Sequence, residues 1–141
     1  MNLQEDKNTY IEQILKALTP KESFPPQNKS GISRSQLERL HIVDLERLIN
    51  NEEFLKDFRE PIDEDILTQI RSINDGRPTE LDLNNKGLKD GQLARILSKI
   101  ENLSSLQVLA LANNQLTALP ESFEGLAALW WLDLKNNSLK Q

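Results

Sequence analysis

Residues 106–116 read L-Q-V-L-A-L-A-N-N-Q-L, and residues 129–139 read L-W-W-L-D-L-K-N-N-S-L. Leu106, Leu109, Leu111, Asn114 and Leu116 thus recur 23 residues later as Leu129, Leu132, Leu134, Asn137 and Leu139. Self-similarity at a fixed period marks stacked units, none of which can bury its apolar face alone. In Leu109-Ala110-Leu111 and Leu132-Asp133-Leu134 the apolar residues alternate, which in a short strand puts both leucines on one face. A parallel strand from the next unit, about 4.8 Å away, piles those leucines into a continuous interior. Each fully buried leucine there contributes roughly 1.5–3 kcal/mol. Asn114 and Asn137 close each strand at an inward turn. An amide offers two donors and an acceptor to backbone groups that the bend takes out of the ladder.

The pattern L-x-x-L-x-L-x-x-N-x-L, followed by L-P-x-x-F-x-x-L (Leu119, Pro120, Phe123, Leu126), resembles the leucine-rich repeat family. The resemblance implies parallel strands on a concave face and a convex return at Pro120, with Phe123 filling the interior from the far wall. A third copy lies upstream, where Leu81-Asp82-Leu83 and Leu88 match Leu109-Ala110-Leu111 and Leu116 at a separation of 28 residues. Leu93, Ile96, Leu97 and Ile100 then follow at helical spacing, with Asp90 as the expected N-cap. A longer repeat with a true convex helix is similar to the ribonuclease-inhibitor type. Lys86 departs from the pattern where an asparagine is expected, and Asn85 is one residue out of register. The first rung's ladder is therefore expected to be broken or capped differently. The resemblance covers residues 79–141.

The front 75 residues read as four helices. Tyr10, Ile11, Ile14, Leu15 and Leu18 give residues 3–18 one apolar stripe, ended by Thr19-Pro20. Residues 19–33 hold three of the six prolines and read as a linker or ordered loop, with Phe24 free to pin onto a helix. Ser35-Gln36-Leu37-Glu38 reads as a capping box that opens a helix apolar nearly all round, expected at the centre of this segment. A short helix follows, displaying Phe54, Leu55 and Phe58. The fourth, over residues 63–74, has Asp63 as its expected cap and Ile66, Leu67, Ile70 and Ile73 inward. Asp75-Gly76-Arg77-Pro78 reads as the turn into the first strand.

The expected fold is α/β (α+β): a short solenoid of about three repeats over residues 76–141, capped by the four-helix segment 1–75. A separate helical bundle is the competing arrangement. The four or five residues before Glu80 are too short for a free linker, and the first strand needs cover, so we favour the cap.

Hydrophobic content of 38% with regular leucine spacing argues against disorder despite 28% charged residues. The net charge of −5 lies wholly in the front half, where 10 Lys or Arg face 15 Asp or Glu. That disfavours nucleic acid and anionic membranes, which need positive surface; acidic, solvated helices explain it equally well. There is no cysteine, signal peptide or long apolar stretch, so a cytoplasmic location is expected. No phosphate-binding loop, nucleophile elbow or zinc-protease motif is present, and no cofactor or metal is expected. The single histidine, His41, sits beside Leu40 and Ile42, where a helix-surface or core role outweighs a catalytic one. Asp82 and Asp133 fall two strand spacings apart, roughly 9–10 Å, at the upper edge of an inverting glycosidase pair. An open, wet face gives neither carboxylate the burial an acid catalyst needs. An enzyme is not expected.

The concave face is the better site. Three columns project from it: Glu80, Val108, Trp131; Asp82, Ala110, Asp133; and Asn84, Ala112, Lys135. Small residues in the middle rung make a shallow trough between polar walls. Trp131 suits an interface anchor, although Trp130 and Trp131 could equally shield the last rung, with Trp130 tucked under the next turn. Glu80, Asp82, Asn84, Val108, Trp131, Asp133 and Lys135 are the expected contact residues. After Lys135 come only N-N-S-L-K-Q. Leu132, Leu134 and Leu139 should therefore show one side to water beside an unpaired strand edge. A truncated piece of a longer solenoid, a homodimer through this end, and a partner that covers it are the competing readings. As the resemblance implies, the expected function is binding a protein partner, on the concave face or at the open C-terminal edge. The alternative is an effector or regulator of bacterial type whose helical half carries the activity while the repeats target it.

Overall fold

The computed structural model describes residues 3–19, 31–75 and 79–139. The expected linker's residues 20–30, with Phe24, and residues 76–78 of the expected turn lie outside that range. Three strands form one parallel sheet in the order β1 (Glu80–Asp82), β2 (Val108–Ala110), β3 (Trp131–Asp133). The register aligns Leu81 with Leu109 and Leu109 with Leu132, as the repeat spacing predicts. Alternation sends Leu81, Leu83, Leu109 and Leu111 into the interior, each at most 1% exposed.

Each strand turns through an asparagine in the left-handed region: Asn85 (φ 60°), Asn113 (φ 62°) and Asn136 (φ 58°). Asparagine tolerates this conformation better than other residues with a Cβ. Asn85 thus corresponds to Asn113, the first asparagine of each N-N pair, and is not a displaced ladder residue. The second asparagine stitches its rung to the one before. Asn114 donates to the Leu83, Leu111 and Ala112 carbonyls and accepts from the Lys86 and Leu88 amides. Asn137 donates to the Leu111 and Leu134 carbonyls and accepts from Leu116. Lys86, at the missing ladder position, sends its ammonium to Asp65 (2.9 Å) and Asp63 (3.6 Å).

Those two aspartates open α5 (Glu64–Asn74), which covers the first rung. Asp63 occupies the cap position expected of it, but makes no side-chain cap bond. Ile66, Ile70 and Ile73 of α5 join the leucines of all three rungs in one core, against which Phe123, Leu129, Leu134 and Leu139 pack half-buried. On the convex side runs α6 (Asp90–Ser98). Its cap position belongs to Lys89, whose N–H donates to Gln92 Oε1, so the expected cap at Asp90 is off by one residue.

The remaining helices are α1 (Leu3–Leu18), α2 (Arg34–Glu38), α3 (Ile42–Asn50) and α4 (Glu52–Arg59). The front segment therefore holds five described helices where four are expected. The helix read from Ser35 breaks after one turn: Ser33, not Ser35, caps α2, and His41 caps α3 afresh. The break lets Leu37 and Leu40, both 0% exposed, face the same interior as Leu45 and Leu48. α3 is not apolar all round in its setting either, since Val43 is 44% exposed.

A second correction concerns what the front helices cover. Among the described residues, α5 alone seals the first rung. α1–α4 build a separate core of Ile11, Ile14, Leu18, Leu37, Leu40, Leu45, Leu48, Phe54 and Phe58 that closes on Ala94, on the outer side of α6. The reason is Gly91 and Ala94, two small residues three apart on α6. A Cβ at Gly91 would run into the Phe54 carbonyl and lie 2.8 Å from the Phe58 amide, so α4 can lie against α6 only because that atom is missing. Convex helix α6 is thus buried on both sides.

Candidate interaction surface

The register brings Glu80, Val108 and Trp131 into one column and Asp82, Ala110 and Asp133 into the next. Ala110 (7% exposed) and Ala112 (4%) form the floor of the trough. Three of the expected contact residues serve the strand turns. Asp82 accepts from the Asn84 amide and Asp133 from the Lys135 amide, both at 3.0 Å. Asn84 accepts from the Ala112 amide at 2.7 Å. Glu80 and Lys135 are exposed, and Val108 is half-buried.

At the third rung the surface becomes apolar. Trp131 is 43% exposed and Leu132 39%, whereas Leu109, one rung earlier, is wholly buried. Trp130 is 70% exposed; no turn lies over it among the described residues, which corrects its expected tucked position. The Trp131 amide and the Asp133 carbonyl point to β2. Leu132, between them, therefore aims its N–H and C=O off the open edge. Among the described residues nothing pairs with those two groups.

Two buried carboxylates join the front helices to the repeats. Asp44 of α3, 1% exposed, accepts from the amides of Glu121 and Ser122 at 2.9 Å and from Ser122 Oγ at 2.5 Å. It thereby caps the 3-10 turn Glu121–Gly125 on the convex side of the second repeat. Asp90 accepts from the Thr117 amide (2.8 Å), Thr117 Oγ1 (2.6 Å) and the Arg47 guanidinium of α3 (3.0 Å). Burial pushes the Asp90 carboxyl up, but these bonds outweigh it and hold it below the usual carboxylate range. Neither role is evident from motifs. The available signal was a lone carboxylate on the apolar side of α3, between Val43 and Leu45.

His41 is the N-cap of α3: its Nδ1 accepts from the Val43 amide. Among the described residues no helix is long and apolar enough to cross a membrane. The family model of the leucine rich repeat matches residues 97–139, so that segment is leucine-rich repeat. Members of that family are in general protein-interaction modules. No curated protein and no solved structure matches the chain.

Proposed function

We propose, with the leucine-rich repeats of residues 97–139 as premise, that this chain is a non-enzymatic module that binds a protein partner. The contact surface is the concave face at its third rung, continuing over the open edge of β3. Trp131 is the anchor, flanked by Asp133 and Lys135, with Glu80, Asp82 and Asn84 as the polar approach and Val108 between them and Trp131. The observation that carries the reading is the exposure of Trp130, Trp131 and Leu132 in succession at the start of β3, beside the outward backbone groups of Leu132. Exposed aromatics of this kind are favoured interface anchors, and an open strand edge is a template for an added strand. The reading in which the helical half carries an activity of its own is weakened by Asp44 and Asp90. These carboxylates make α3 part of the repeat surface.

The edge also admits a second copy. The N–H and C=O of Leu132 are self-complementary across a two-fold axis, which is what an antiparallel pair requires. Against it, Asp133 would then lie diagonally across from its own counterpart, and like charges so placed repel. Sedimentation over a concentration series separates the two: a monomer at high concentration removes the dimer. For the partner, a photo-reactive residue is placed at Trp131 and, as a control, at exposed Arg59 of α4. Covalent adducts from position 131 and none from position 59 are expected in lysate of the cells that make the protein. Adducts from position 59 alone would overturn the assignment.

A further inference from the structure

We propose that His41 is a pH-sensitive helix cap, placed at the seam where the front helices meet the second repeat. Four contacts define its state. Nδ1 accepts the Val43 amide hydrogen at 3.1 Å. Nε2 lies 3.3 Å from Glu124 Oε1. The His41 main-chain N–H donates to Ser122 Oγ at 3.0 Å, and that hydroxyl donates to Asp44 at 2.5 Å. The first requires a neutral ring with its hydrogen on Nε2, because only an unprotonated Nδ1 can accept, and the second is compatible with that tautomer.

A second proton must go to Nδ1, where it would face the Val43 N–H, donor against donor. The cap is then lost whatever the ring does, while the contact of Nε2 with the Glu124 carboxylate becomes a charge pair. The ring is therefore drawn from the cap toward Glu124, and there is room for the movement. A crevice of about 340 Å³ opens beside the ring, lined by Lys7 of α1, Arg39, Leu103, Ser122 and Glu124. The charged groups around His41 divide. Lys7 and Arg39 bring positive charge to the crevice and Glu124 negative charge. Asp44 is negative too, although its oxygens are already engaged by the Glu121 and Ser122 amides and the Ser122 hydroxyl. The main-chain bond to Ser122 Oγ does not depend on the ring, so protonation frees the first turn of α3 without parting the seam.

The test uses the isotopically labelled full chain, followed by nuclear magnetic resonance from about pH 8 to about pH 5, the interval in which a histidine takes up its second proton. At the upper end the ring should be the Nε2–H tautomer. Across that interval, the exchange protection of the Val43 amide, corrected for intrinsic rate, should fall about fivefold, the factor equivalent to a typical N-cap of ~1 kcal/mol. The Glu121 and Ser122 amides, held by Asp44, should keep their protection. His41→Asn supplies an acceptor that does not titrate, and should hold Val43 protection constant. An Nδ1–H tautomer at the upper end, or Val43 protection unchanged through the titration, overturns the proposal. So does an equal loss at all three amides, which marks general acid unfolding.

Discussion

β1 and β3 are the two edges of one sheet, equal in length and matched in register through β2, yet they are finished differently. At the front, Asp82 turns its backbone away from β2, and the Gln69 side chain of α5 meets it as a strand would. Gln69 Oε1 takes the Asp82 amide at 2.8 Å, and Nε2 donates to the Asp82 carbonyl at 2.8 Å. Ile66, Ile70 and Ile73 then cover the leucines, and Leu81 is 1% exposed. At the back, Leu132 has neither an amide partner nor a covering helix among the described residues, and it is 39% exposed. One helix and one side-chain amide are enough to close a rung. Without them an apolar strand edge remains uncovered.

The largest expected difference separates the middle rung from the last. Leu109→Ala removes a wholly buried side chain and should cost about 2–5 kcal/mol in denaturant unfolding. Leu132→Ala, already half in water, should cost under about 1.5 kcal/mol. Equal losses would mean that the third rung is covered in solution. Next comes the seam with the front helices. Asp44→Ala strips two amides and a hydroxyl of their acceptor in a buried place, and a loss of roughly 2–4 kcal/mol is expected. A loss below about 0.5 kcal/mol would break the claim that the two cores act together.

Asp90 sharpens the same point through pH. Its carboxyl is depressed in the fold, so its contribution is present in full above the unfolded value near ~3.9 and is lost as pH falls through the lower folded value. Urea unfolding of Asp90→Asn should therefore lose less stability than the parent between about pH 5 and about pH 2. An identical acid limb in the two chains would contradict the assignment. At the front edge, Gln69→Ala should cost about 1–2 kcal/mol through the loss of two partly exposed hydrogen bonds. It should also raise amide exchange at Asp82 while leaving Leu111 unchanged.

The repeats were legible because their leucines and asparagines must recur wherever a rung recurs. Strand positions, parallel register, the outward Trp131 and the uncovered Leu132 all follow from that spacing. The Lys86 substitution pointed to a different finish at the first rung, though not to its ion pairs with Asp63 and Asp65. What sequence alone did not yield depends on tertiary contact. The docking of α4 on α6 turns on the missing Cβ of Gly91, which in a linear reading is merely a poor helix former. Asp90 reads only as a helix cap and Asp44 as one more acid inside a helix, because the amides they accept from lie in another repeat. The break before α3 was hidden by continuous apolar spacing, which cannot distinguish one long helix from two that are capped in turn.

The contrast between the two edges is open to one direct measurement: backbone amide hydrogen exchange at Asp82 and Leu132 in the isolated chain. Both amides face away from β2, one toward Gln69 and one toward solvent. Asp82 should be protected well above Leu132, and Leu132 should exchange near the rate of an unstructured amide. Protection at Leu132 equal to that at Asp82, in a monomer, would show the back edge to be closed and would remove the surface proposed for the partner.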